Sequence, residues 1–225
     1  MKPHDVYLLF RGGLNFIDAV FVDTFNTLIL NWSLMLDFNL ILQTDKVILR
    51  PMISDDCNSF ERLTEDKSMW IYFTSDLSER SELQNWIDTA LSDMKSENRL
   101  AFTIIEKTTG NPIGSSSFGN ISYRDRRIEI GWTWISREFQ GKGVNSLIKY
   151  LMLKYAFETI DFERVEIKTD VLNIPARKAL LRIGAKEEGV LRSHTLMTHG
   201  RRRDTIYYSI LRSEWDDVKE RNGWQ

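Results

Sequence analysis

Residues Glu129 to Ser146 join a strand-like run to a helix-like run through a turn punctuated by Gly141 and Gly143. Before the turn, Ile128, Ile130, Trp132 and Trp134 alternate with Glu129, Gly131 and Thr133, the period of two expected of a strand. After Gly143 the period changes. Val144, Leu147, Ile148, Leu151, Met152 and Tyr155 recur at steps of three and four, which describes one apolar face of a helix. The backbone N–H groups of Gln140 to Asn145 are then first-turn donors without an intrahelical partner, and the helix dipole adds positive potential at the same point. Such a junction fits an anion, and a pyrophosphate in particular.

The surrounding pattern narrows which anion. Gly141-Lys-Gly143-Val-Asn-Ser146 lacks the Gly-Lys-Ser/Thr ending that cradles a nucleotide triphosphate. A dinucleotide fold has Asp161 in its favour, placed where a ribose-binding carboxylate sits, but the third glycine is missing. What precedes the turn is more telling. Leu100 to Glu106, Pro112 to Asn120 and Arg127 to Ile135 read as successive strands, separated by the hairpin connections Thr108-Thr-Gly-Asn111 and Tyr123-Arg-Asp-Arg126. The sheet is therefore antiparallel up to the loop, whereas a dinucleotide domain repeats parallel units.

An antiparallel meander followed by a strand, a Gln140-x-x-Gly143-x-Asn145 loop, a helix and a parallel strand resembles the GNAT superfamily of acetyl-CoA-dependent N-acetyltransferases. Arg164 to Asn173 looks like the family's fifth strand, ending in the asparagine that commonly meets the cofactor, and Ala176 to Gly184 looks like its fourth helix. With Glu188 to Arg192 and Arg203 to Trp215, the chain is similar to the Rim-type branch of ribosomal-protein N-terminal acetyltransferases, over about Leu40 to Val218. The resemblance implies an α/β (α+β) fold: a mixed, mostly antiparallel central sheet flanked by helices, with a strand-loop-helix acetyl-CoA site. It assigns residues 35–225 to the N-acetyltransferase domain and leaves residues 1–34 as an extension outside the family pattern.

The same resemblance implies acetyl-CoA as cosubstrate, no metal, and an amine acceptor that is a protein N-terminus or a small molecule. Ile135, Gln140, Gly141, Lys142, Gly143, Val144, Asn145 and Ser146 would hold the cofactor, with Asn173 on the pantetheine arm and Arg177 near the phosphates. Asn173 also reads as the N-cap of the helix that follows, and Arg177 as part of a solvated helix face. Glu129 matches a glutamate used as a base by part of the superfamily, and its strand face is read as shared with Gly131 and Thr133. The other reading is a solvated glutamate paired with Arg126 or Arg127. The hydroxyls that elsewhere protonate the departing thiolate are absent, since Ala176 and Leu180 stand at those positions. Water, Tyr207, Tyr208 or His194 is left for that task, and the backbone N–H near Ile135 or Ser136 for the oxyanion. The missing hydroxyls keep a second function open, an acyl-CoA-binding regulatory module with little or no turnover.

Composition bounds the partners. The formal net charge is −2, but residues 1–112 carry 10 basic and 17 acidic side chains and residues 113–225 carry 20 and 15. A basic second half suits a polyanionic ligand, and no aromatic-interleaved basic stripe points to nucleic acid. No apolar run approaches the ~18 residues of a membrane span, so no membrane partner is expected, and the assembly is read as a monomer or homodimer. The single cysteine, Cys57, suits a reducing cytoplasm. Leu83, Trp86, Ile87, Ala90, Leu91 and Met94 mark an amphipathic helix. Trp70 to Phe73 before it are either core or an apolar acceptor pocket, and Arg201-Arg202-Arg203 reads as an exposed hairpin turn.

Overall fold

A computed structural model describes residues 35–224; the expected extension, residues 1–34, lies outside them. The strands are β1 (Leu42–Gln43), β2 (Val47–Pro51), β3 (Arg99–Glu106), β4 (Pro112–Ser122), β5 (Arg127–Ile135), β6 (Arg164–Asp170), β7 (Lys186–Leu196) and β8 (Arg202–Leu211). They form one sheet in the order β1-β2-β3-β4-β5-β6-β8-β7. Among the described residues only β5 and β6 run parallel, because the connection between them is a crossover helix, whereas short turns join the antiparallel pairs β1–β2, β3–β4, β4–β5 and β7–β8. That helix is α3 (Val144–Lys154), prolonged by a wider π turn over Tyr155–Thr159. The remaining helices are α1 (Asp56–Thr64), α2 (Arg80–Lys95), α4 (Ile174–Arg182) and α5 (Trp215–Asn222). The mixed, mostly antiparallel sheet with flanking helices is the architecture read from the sequence.

Alternation along the strands gives the sheet two buried faces. Phe102 of β3, Phe118 of β4, Ile128 and Ile130 of β5 and Val165 of β6 cluster with Ile148 and Met152 of α3 and Leu180 of α4. On the other face Ala101 and Trp134 pack with Phe60, Trp70, Leu83, Trp86 and Ile87 around α1 and α2. Each such side chain contributes roughly 1.5–3 kcal/mol on burial, so the two layers hold the strands in register. Trp70 belongs to this core, its ring centroid 5.8 Å from that of Trp134, while Ile71 is exposed. A buried polar knot ties α1 to the sheet. Asp56 accepts hydrogen bonds from Arg50 Nη2 (2.5 Å), Thr103 Oγ1 (2.5 Å) and Ile53 N (2.9 Å).

The period of two in β5 breaks at Trp132. Ser115 pairs with Trp134 and Ser117 with Gly131, so Trp132 and Thr133 together oppose Ser116, and Trp132 takes a left-handed φ of 51°. That conformation costs a non-glycine residue ~1–2 kcal/mol. A bulge of this kind re-aims every side chain beyond it. The expected common face of Glu129 and Thr133 is thereby overturned. Thr133 points towards α3, where its Oγ1 lies 2.9 Å from Lys149 Nζ, and Trp132 and Trp134 join the cluster on the α1/α2 face.

Candidate active site

β5 and β6 are paired only from Arg127–Arg164 to Glu129–Glu166. Beyond Glu129 they part, as increased local twist at a bulge favours. From there on, β5 has no neighbouring strand on its β6 side. Backbone groups along such an edge need partners, which makes the gap a place for an extended ligand.

At the far end of β5 the chain turns through Gly141 and Gly143, with φ of 75° and 81°. A side chain there would meet nothing within 4 Å, so the left-handed backbone is what calls for glycine. Gln140 is spent within the turn: its N–H donates to Arg137 O at 3.2 Å and its Nε2 to Ile135 O at 2.8 Å. Ser146 N–H turns back to Gly143 O at 3.0 Å. Between them, the N–H groups of Gly141, Lys142, Gly143, Val144 and Asn145 find no acceptor among the described residues. The expected row of free donors thus starts one residue later than the spacing suggested, at the positive end of the α3 dipole.

Glu129 sits where the strands part. Its exposure is 3%, which removes the solvated reading, and Arg126 and Arg127 pair elsewhere, with Asp161 and Glu163 and with Asp125 and Glu166. Its Oε2 accepts from Asn120 Nδ2 at 2.5 Å and meets Lys168 Nζ at 2.8 Å. Oε1 extends over Gly131, and a Cβ at residue 131 would stand 2.8 Å from it. The carboxylate is held by one oxygen and presents the other.

Cations gather on this face. The Arg99 guanidinium lies between two indoles, 5.1 Å from Trp86 and 4.5 Å from Trp132, and donates to Ser117 Oγ at 2.9 Å. Burial lowers its pKa to about 10. Arg203 is buried, donates to Thr205 Oγ1 at 2.9 Å and has its pKa lowered by burial, while Arg201 pairs with the fully buried Asp170. Of the expected exposed turn, Arg202 is exposed and Arg201 lies in the β7–β8 connection with its side chain 37% exposed, whereas Arg203 belongs to the interior. Behind the gap, on the α3 side, Lys149 is 3% exposed, and Thr133 Oγ1 is shared between its ammonium and Ser116 Oγ. Desolvation pulls the Lys149 pKa down to about 7, with the charge of Glu129 opposing.

The acetyltransferase (GNAT) domain family matches residues 46–186. The chain belongs to this family. It is 38% identical over 110 residues to the putative ribosomal N-acetyltransferase YdaF of Bacillus subtilis, covering 49% of this chain and 59% of that protein. The crystal structure of a GCN5-related N-acetyltransferase from Brucella melitensis superposes with a TM-score of 0.75 at 26% identity, over 83% of this chain and 85% of that one. Mycobacterium smegmatis RimJ, solved in complex with CoA-disulfide, shares the fold with a TM-score of 0.68 at 20% identity, over 79% and 89%. The protein is thus an acyltransferase of the GNAT N-acetyltransferase kind.

Other residues read against the GNAT pattern fall as follows. Asn173 caps α4, its Oδ1 accepting from Ala176 N at 3.1 Å. Arg177 is committed to Tyr208 Oη (3.1 Å) and Val171 O (3.0 Å), with Glu187 at 3.4 Å, rather than directed at the glycine turn. Ser136 N–H donates to Ile113 O at 2.9 Å, so it is not a free oxyanion donor. Tyr208 is buried on the α3 face with its hydroxyl taken by Arg177 and Glu187, and His194 is exposed on β7, next to Thr205 Oγ1 at 3.1 Å. Tyr207 lies on the Glu129 side, its ring 5.9 Å from Lys168 Nζ. Among the described residues no group of three His, Cys, Asp or Glu side chains could hold a metal.

Lys149 and Lys168 were not singled out from the sequence, although both left a signal. Lys149 stands three residues before Met152 and seven before Ala156, on one helix face with two buried apolar residues. Lys168 alternates with the buried Ile167, which puts it on the face of Glu129 once the pairing of β5 and β6 is known.

Proposed function

We propose that this protein transfers the acetyl group of acetyl-CoA to a primary amine by direct attack, with Glu129 as the base and an α-amino group as the acceptor. The observation that carries this reading is the buried Glu129 carboxylate where β5 and β6 part, with Oε1 offered over the bare backbone of Gly131. The free N–H groups of Gly141 to Asn145 at the other end of the same strand hold the pyrophosphate. Ile135 and Ser146 border that turn, and Asn173 adds a contact to the pantetheine arm beside its capping role. The CoA-disulfide bound by RimJ supports this choice of donor. Buried between these groups, the incoming amine gives its proton to Glu129 Oε1 as its nitrogen bonds the acetyl carbon.

An α-amino group has an unperturbed pKa near ~8, against ~10.4 for lysine, so a single carboxylate deprotonates it more readily. The name of YdaF supports a ribosomal protein N-terminus as the acceptor. Thioester consumption is to be measured with peptides carrying a free N-terminus, with N-blocked lysine peptides and with small amines. Turnover fastest with free N-termini is expected. Acetyl-CoA binding without turnover on any amine would instead favour the regulatory module.

A further inference from the structure

We propose that Lys149 is the acid that protonates the departing CoA thiolate, a role resting on the acetyl-transfer reading above. Three observations lead there. First, Lys149 is the one charged side chain of α3 turned into the sheet, 3% exposed and anchored on Thr133 Oγ1 at 2.9 Å. Thr133 stands past the last β5–β6 pair, so the ammonium is held against the stretch of β5 whose free edge an extended acyl-CoA arm would follow. Second, an ammonium has three donors, and Thr133 accounts for one; no carboxylate contacts it among the described residues. A buried cation without a counter-ion is costly, and a nascent thiolate supplies the missing anion. Third, the positions that carry a hydroxyl elsewhere in the family are Ala176 and Leu180, and Leu180 shares its buried cluster with Ile148 and Met152, the helix neighbours of Lys149. The other candidates are ill placed: Tyr208 is engaged and His194 is exposed, while Tyr207 is on the Glu129 side of the sheet.

The step balances. The amine nitrogen bonds the acetyl carbon, the C–S bond breaks, and its electron pair leaves on sulfur. Lys149 Nζ gives one proton to that sulfur, forming the CoA thiol, while the nitrogen gives one proton to Glu129. Glu129 and Lys149 are then both neutral, and proton exchange with solvent restores the pair. With a pKa lowered to about 7, Lys149 is still loaded near neutrality and gives its proton up easily. The charged group that acts on it from a packed element is Glu129 of β5; Ser116 of β4, Thr133 of β5 and Leu180 of α4 bring none.

The test uses the full chain, acetyl-CoA and an acceptor amine whose own pKa is below 6, so that it is neutral at every pH examined. In the parent, kcat should fall as pH rises through about 7, as the acid is lost. A flat profile, or a rate that rises through that range as a lysine base would give, overturns the assignment. Lys149→Met should lower kcat roughly 100-fold, remove the alkaline fall and leave acetyl-CoA affinity in calorimetry within about twofold. Should that variant not fold, the parent profile decides alone. A parent inactive with every amine sinks the acetyl-transfer reading and this one together; an active parent with an unaffected Lys149→Met variant sinks only this one.

Discussion

Burying an ammonium without a carboxylate contact destabilises a fold, and at Lys149 the consequence is a pKa lowered from 10.5 to about 7. Because the folded value lies below the unfolded one, the penalty is full below pH about 7. It fades as pH rises towards ~10.4, where the unfolded lysine also loses its proton. Lys149→Met should therefore stabilise the protein by a few kcal/mol, ~1.4 for each pKa unit removed, at pH 6 and much less at pH 10. Urea unfolding at the two pH values measures this; an equal difference at both would show that water reaches the amine in the folded protein. Glu129 is set by sterics as well as charge. Relative to the parent at the same pH, Glu129→Gln should be ~100-fold slower below the pKa of the acceptor amine, and the gap should narrow as pH rises, because solvent then supplies the neutral amine and water takes the proton its nitrogen sheds on attack. Acetyl-CoA affinity should stay unchanged, and a variant as fast as the parent at neutral pH would remove Glu129 from the mechanism. Gly131→Ala places a methyl 2.8 Å from Oε1 and so displaces the base without removing it. A loss of roughly 100-fold is expected from such misplacement, again with binding intact.

At the scale of elements, the glycine turn and the β5 bulge divide the work of the site. The turn was legible in the sequence, because Gly141 and Gly143 sit between a period of two and a period of 3.6, and those periods rest on local backbone geometry. Gly143→Glu should abolish acetyl-CoA binding, since a carboxylate would enter the anion site; nothing lies within 4 Å of a Cβ there, and the left-handed φ of 81° costs a side chain ~1–2 kcal/mol, which lowers stability without unfolding the domain. Undiminished affinity in calorimetry would move the cofactor elsewhere. The bulge was not legible. Trp132 and Trp134 continue an apolar alternation that looks unbroken, and the register slip shows only in the pairing of Ser115 and Ser117. For the same reason Thr133 was placed on the wrong face and Lys149 left out. The burial of Arg203 and the pairing of Arg201 with Asp170 were not legible, because Thr205 and Asp170 are brought there by tertiary packing that no local pattern reports. The strand of Glu129 was read correctly, but not the Lys168 and Asn120 that hold it, which lie on two neighbouring strands.

Across the whole molecule, the family match over residues 46–186 and the compact unit Leu36–Gln225 both contain the proposed site. That unit contains both core clusters, the glycine turn, Glu129 and Lys149, and its second half carries the excess of basic side chains that suits a polyanionic donor. No helix among the described residues is long and apolar enough to cross a membrane. A protein beginning at Met35 should therefore unfold in a single cooperative transition and bind acetyl-CoA as the full chain does. A domain that closes its own hydrophobic layers and keeps its ligand groups inside one unit has its stability and its binding determined there. Urea unfolding and calorimetry on the two proteins would check it. Equal affinity with a similar midpoint would make residues 1–34 an addition to the acetyltransferase domain. A shortened protein without a cooperative transition would mean that the core is completed by those residues, and an intact transition with weakened binding would mean that they contribute to the acetyl-CoA site itself.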